Sequence, residues 1–172
     1  MAATGQKRTS IAGIFSLKIK KMKSNSSLAT PFFDALIGEK ISHVLRGGGS
    51  AIFIELGNLR KRRKLNGEPG EPKGDITVMI EWSWRIEGPK SILGGSWSSE
   101  RGWSKIFEKI IGESVLDVQL FGVLPEICIL LSDGSRVTSF MTANGQPQWT
   151  ILTHDVSRGA LGVKRGRLHV EI

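Results

Sequence analysis

Two carboxylates on neighbouring strands suffice for glycosidase-type acid–base chemistry, and Glu55 and Glu81 are the pair this sequence offers. Both fall out of phase with the apolar residues of their strands, where a solvated carboxylate is expected, so they predict surface charge rather than catalysis. Asp117, Glu126 and Asp133 read as strand-end or turn residues. His43, His154 and His169 lie in or beside predicted strands at no metal-ligand spacing. No His-x-Glu, His-Glu-x-x-His or Cys/His cluster supports zinc or non-haem iron, and no Gly-x-Ser-x-Gly elbow presents a nucleophile. Gly47-Gly48-Gly49-Ser50 lacks the lysine and following helix of a phosphate loop and reads as a hairpin tip. Cys128 is the single cysteine, which excludes an intramolecular disulfide and a multi-cysteine zinc site. Within the apolar run Ile127–Leu131 it reads as a buried, inert thiol. The expectation is a chain with no catalytic residue, cofactor or metal.

Binding chemistry has better candidates. Five tryptophans, at 82, 84, 97, 103 and 149, occur in a chain with no tyrosine. An exposed row of them would stack on sugars or bases. Trp82 and Trp84 share parity with Ile76, Val78 and Ile80, and Trp103 lies on a helical apolar stripe, so these three are expected in the core. Trp97 is the candidate exposed aromatic. The run Arg60, Lys61, Arg62, Arg63, Lys64 offers five cations that could neutralise phosphates or meet an acidic protein surface. It carries no interleaved aromatics and no recognition helix.

These residues are positioned by mostly β elements. Thr30 as cap, Pro31 at the first helical position and Gly38 as terminator predict a short helix. Ile41–Arg46 and Ala51–Leu56 predict a hairpin around the glycines. Residues 57–74, with Asn66-Gly67, Pro69-Gly70 and Pro72, predict a long exposed basic loop. Alternation from Ile76 to Ile86 predicts one half-buried strand, longer than usual and curved. A strand over Ile92–Trp97 follows. Trp103, Ile106, Phe107, Ile110 and Ile111 fall at i, i+3, i+4, i+7 and i+8, an amphipathic helix ending at Gly112. Val115–Phe121, Glu126–Leu131 and Arg136–Met141 predict strands, the last two joined by Asp133-Gly134 as a type I′ turn. Gln148–Leu152, Leu161–Lys164 and Arg167–Ile172 complete the series, the last two pairing across Arg165-Gly166. The fold class expected is α+β, mainly β: a curved antiparallel sheet or partly open barrel with one amphipathic helix packed on it.

The 172 residues fit one domain over 30–172, preceded by a disordered basic tail over 1–29. Met22 is a plausible alternative start, which would make residues 1–21 a start-site artefact. The net charge of +8 is unevenly placed. Residues 1–30 carry six Lys or Arg and no acid, and 60–64 carry five more; the remaining thirteen basic residues face sixteen acidic ones, leaving the body at −3. Basicity therefore belongs to the tail and one loop. No apolar stretch approaches the roughly 20 residues of a transmembrane helix, and the lone cysteine suits a reducing cytoplasm.

From Phe33 to Asp155 the order of features resembles a family of small uncharacterised bacterial proteins of unknown function. The resemblance rests on Leu36-Ile37-Gly38 before the glycine hairpin, Trp84-Arg85-Ile86, Ile92-Leu93-Gly94-Gly95-Ser96 and Ile111-Gly112. Leu131-Ser132-Asp133-Gly134 and Ser139-Phe140 leading to Gln146-Pro147-Gln148-Trp149 complete it. It implies an immunity-like or accessory protein that binds another protein, and it carries over no site residue. The functional expectation is a non-catalytic protein-binding domain. The alternative is a nucleic-acid-associated protein binding weakly and non-specifically through its tail and loop, and the third is a small hydrolase. Arg60, Lys61, Arg62, Arg63, Lys64 and Trp97 are the candidate binding residues.

Overall fold

A computed structural model describes residues 27–142, 144, 148–154 and 158–171. The expectations for the basic tail before residue 27 and for a start at Met22 lie outside these residues. Helix α1 spans 27–36, and Ala29, Phe32 and Leu36 on one face are buried. Residues 27–29 thus belong to a core-packed helix rather than a tail. Pro31 stands inside this helix, where it removes one backbone bond near the start. Gly38 ends it at φ 86°, donating its N–H to the Val115 carbonyl at 2.8 Å.

The fold is mainly β, with thirteen strands among the described residues, in antiparallel sheets that do not close into a barrel. β1 (Ile41–Arg46) and β2 (Ile52–Leu56) form the expected glycine-tipped hairpin. β3 (Arg60–Arg63) and β4 (Pro69–Lys73) pair only with each other, so the predicted basic loop is a two-stranded ribbon. Prolines are tolerated there because both strands are edges. β5 (Ile76–Ile80) pairs with β2, and β6 (Trp84–Glu87) pairs instead with β7 (Ile92–Gly95) and β10 (Arg136–Ser139). β8 (Val115–Phe121) and β9 (Glu126–Leu131) have the expected bounds and complete a five-stranded sheet ordered β7-β6-β10-β9-β8. β11 (Trp149–Thr153), β12 (Ala160–Lys164) and β13 (Arg167–Glu171) extend a six-stranded sheet ordered β1-β2-β5-β11-β12-β13.

The single long strand predicted from Ile76 to Ile86 is therefore two strands in two sheets. The chain changes sheet at Glu81-Trp82-Ser83, and Trp82 has φ 59°, a backbone region that bulky L-residues rarely enter. Turn chemistry is also redistributed. At 131–135 the Gly134 N–H bonds to the Leu131 carbonyl and the Leu131 N–H to the Ser135 carbonyl, both 2.9 Å, and only Gly134 has positive φ there. This is a type I turn with a glycine bulge, not type I′. Arg165 and Gly166, at φ 51° and 69°, supply the paired positive angles of a type I′ turn between β12 and β13.

The two sheets share one core, into which both helices pack. Helix α2 (Trp103–Ile110), entered through a 3-10 turn at Glu100–Gly102, buries Trp103, Ile106, Phe107 and Ile110. Each such side chain contributes about 1.5–3 kcal/mol on leaving water. α2 seats on β7 because Gly94 has no side chain: a Cβ there would lie 2.2 Å from Ile106 Cδ1. Trp84 stacks edge-on to Trp103 at 5.1 Å between ring centres and is buried with Trp149. No helix among the described residues is long and apolar enough to cross a membrane.

Candidate functional site

Three turns converge where β5 leaves the six-stranded sheet. The β1–β2 tip brings Gly48–Ala51, the sheet-changing segment brings Glu81–Ser83, and the turn after β7 brings Ser96–Ser98. With Phe53, Glu100 and Thr142 they line an open cleft of about 780 Å³. Trp97 is 87% exposed and Trp82 45% exposed at its margin. Trp97 thus occupies the exposed position expected of it. Trp82 does not join the core: the left-handed residue shifts the alternation, and Trp84 resumes burial on the far side.

Hydrogen bonds fix the lining. Ser50 Oγ donates to the Trp82 carbonyl at 2.5 Å, and the buried Trp84 indole N–H donates to the Ser50 carbonyl at 2.6 Å. The Glu81 N–H bonds to the Gln148 carbonyl and the Phe140 N–H to the Ser83 carbonyl, both at 2.9 Å. Ser96 closes its turn on Trp84, its N–H reaching the Trp84 carbonyl at 3.0 Å while its Oγ accepts the Trp84 N–H at 3.2 Å. Trp82 is thus clamped on both sides, the condition under which a strained backbone persists.

The two carboxylates in the cleft differ in state. Glu100 is held by Arg46 through two bonds of 2.5 and 2.9 Å, and that guanidinium also lies 5.1 Å from the centre of the Trp103 ring. Half-buried Glu81 has no side-chain partner among the described residues. No histidine or cysteine lines the cleft.

The suspected Glu55–Glu81 pair is not assembled. Glu55 stands opposite Thr77 in the β2–β5 ladder, four residues from Glu81, or roughly 13 Å along a strand. Nor is Glu55 solvated. It is fully buried, accepting from Lys73 Nζ at 2.8 Å, the Gly74 N–H at 2.9 Å and Thr77 Oγ1 at 2.6 Å. His43 pairs with Glu71 at 3.4 Å and His169 with Glu171 at 2.9 Å, while His154 lines a separate shallow pocket with Asp75 and Arg158. Cys128 is half-buried rather than enclosed, and the Thr138 hydroxyl lies 3.8 Å from its sulfur. No group of three or more metal-ligating side chains occurs among the described residues.

The five cations of residues 60–64 are all exposed on the ribbon. Its foot is anchored twice, by Glu55 through Lys73 and by Asp75. Asp75 accepts from the Asn58 backbone N–H at 2.8 Å, Asn58 Nδ2 at 2.9 Å and Arg60 at 2.7 Å. The Asn58 donors first, then Arg60, hold the Asp75 carboxyl below its ordinary value. A hollow of about 290 Å³ beneath the ribbon is lined by Arg62, Arg63, Lys64, Lys73 and Phe53. Phe53 also borders the tryptophan cleft, so the two predicted binding regions are neighbours. Sequence reasoning weighed Glu81 only as a partner of Glu55, placed Trp82 in the core and took Ser50 as part of a hairpin tip; the signal that joins them was a strand longer than strands usually run, beside a glycine-rich tip.

No family model matches the chain, and neither a curated protein nor a solved structure is significantly similar to it.

Proposed function

We propose that the protein is a non-catalytic protein-binding domain, of the immunity-like or regulatory kind, whose cleft receives a side chain of its partner. The observation that carries this reading is the clamped, strained Trp82 beside exposed Trp97, with the Glu81 carboxylate, unpartnered among the described residues, in the same cleft. Backbone strain concentrates at sites where function requires it. Exposed tryptophans are the residues most enriched among interface hot spots. A lysine or arginine from the partner fits best, because indole faces attract cations and Glu81 supplies the counter-charge. Of the described lining hydroxyls, Ser50 is bonded to the Trp82 carbonyl and Ser83 to Thr142, an arrangement that favours binding over nucleophilic attack.

Affinity capture from native lysate, with and without nuclease treatment, tests the proposal, comparing wild type with a Trp82→Gly/Trp97→Ala double variant and with Glu81→Gln. A discrete protein retained by wild type and lost by the double variant is expected. Loss of one tryptophan hot spot, worth about 2 kcal/mol or more, weakens binding by roughly thirtyfold. Glu81→Gln should weaken it less and make it less salt-sensitive. A partner held equally by the double variant would overturn the cleft's role, and capture of nucleic acid alone would overturn the protein-binding reading.

A further inference from the structure

We propose that the β3–β4 ribbon is an arm that enters the major groove of duplex DNA, a site separate from the tryptophan cleft. Half of the ribbon's six cations are already balanced: Arg60 by Asp75 at 2.7 Å, Lys64 by Glu68 at 3.6 Å and Lys73 by Glu55 at 2.8 Å. Three consecutive cations are not. Lys61 and Arg62 have no side-chain partner among the described residues, and Arg63 donates only to the Gly67 carbonyl at 3.3 Å. Consecutive strand residues point to opposite faces, so the surplus charge lies on both sides of the ribbon. A flat acidic surface would engage one side. A groove with a phosphate strand along each wall engages both.

The dimensions agree. Two strands about 4.8 Å apart fit the major groove of B-form DNA, about 12 Å wide, which admits a two-stranded ribbon. The narrow major groove of A-form RNA does not. A solvated charge run needs no fixed orientation, yet this ribbon is pinned at its foot by the buried Glu55 carboxylate, by Asp75 and by the Glu71–His43 pair at 3.4 Å, while residues 61–69 are all exposed. Its tip bears fully exposed Leu65 between Lys64 and Asn66. An apolar side chain there meets thymine methyl groups on the groove floor. A single leucine is too little for stable membrane attachment.

The test measures fluorescence anisotropy of a labelled mixed-sequence duplex of about 20 base pairs with the full chain, between about 50 and 200 mM salt. The same strand unpaired, and vesicles containing anionic phosphatidylserine, serve as comparison probes. Wild type is compared with Lys61→Ser/Arg62→Ser/Arg63→Ser and with Leu65→Ser; all four positions are exposed, and unchanged thermal midpoints confirm folding. The triple variant should lose about tenfold or more in affinity, and its plot of log affinity against log salt should flatten by about 2.7, at about 0.9 per phosphate contact. Leu65→Ser should weaken binding a few-fold at unchanged slope. Affinity and slope unaltered in the triple variant would overturn the proposal by placing any DNA binding elsewhere. Equal or tighter binding of the single strand would overturn groove entry, and binding of vesicles without duplex would make the ribbon a lipid-surface element.

Discussion

Replacing Trp82 by glycine and by alanine should give stabilities in the reverse of the usual order. At φ 59°, an L-residue bears a left-handed backbone cost of about 1–2 kcal/mol, which alanine retains and glycine does not. Both variants lose the same indole. A buried tryptophan covers about 150–250 Å²; with 45% of the residue exposed, roughly 100 Å² remains covered, worth about 2.5 kcal/mol at about 25 cal/mol per Å². Trp82→Ala should therefore fall about 2.5 kcal/mol below wild type, and Trp82→Gly only about 1.5. In an ordinary strand glycine is the less stable of the two by about 0.5–1 kcal/mol. The assay is urea and thermal denaturation of both variants, with the glycine form melting about 2–4 °C higher for a chain of this size. Alanine equal to or above glycine would refute the strained backbone at Trp82 and remove the main reason for treating the cleft as functional.

Glu55→Ala leaves the Gly74 N–H and the Thr77 hydroxyl without an acceptor and Lys73 without its counter-charge, and should cost about 3–5 kcal/mol; a thermal midpoint within two degrees or so of wild type would contradict it. Trp84→Ala should cost about 3–5 kcal/mol as a core truncation, whereas Trp97→Ala should stay within about 0.5 kcal/mol; comparable losses at both would mean Trp97 is packed. Asp75 has a lowered folded pKa, so its stabilisation is complete above about pH 4 and is lost as pH falls through the folded value. The stability gap between wild type and Asp75→Asn, read from urea midpoints, should accordingly be wide at neutral pH and narrow in acid, and a gap independent of pH would refute it.

Legibility in the sequence followed the range of the forces involved. β8, β9 and α2 were readable because a regular apolar period and flanking turn residues are local signals. The strand from Ile76 to Ile86 was misread for a definite reason: Ile80 and Trp84 face the core from different sheets, and a period of two is blind to a chain that switches sheet within three residues. Trp82, caught in the switch, therefore counted as core. Glu55 was misassigned because its burial comes from Lys73 and Gly74, eighteen and nineteen residues away, which the ribbon folds back over β2. The ribbon itself was hidden by its composition, since Arg, Lys, Pro and Gly are poor strand formers and pair here through tertiary anchorage. Trp97 and the exposure of Arg60–Lys64 were readable because nothing in their neighbourhood offers them burial.

The sheet order has a consequence for synthesis. β6 to β10 occupy one unbroken stretch, Trp84 to Ser139, whereas the six-stranded sheet joins β5 to β11 across that whole insertion. On the ribosome, the five-stranded sheet has all its strands before β11 is made. β5, with its sequence Ile-Thr-Val-Met-Ile, must wait with one edge unpaired. An apolar, charge-free edge of this kind templates intermolecular pairing. Ribosome stalling or proteolysis between β10 and β11 should therefore yield aggregates rather than a soluble partial domain.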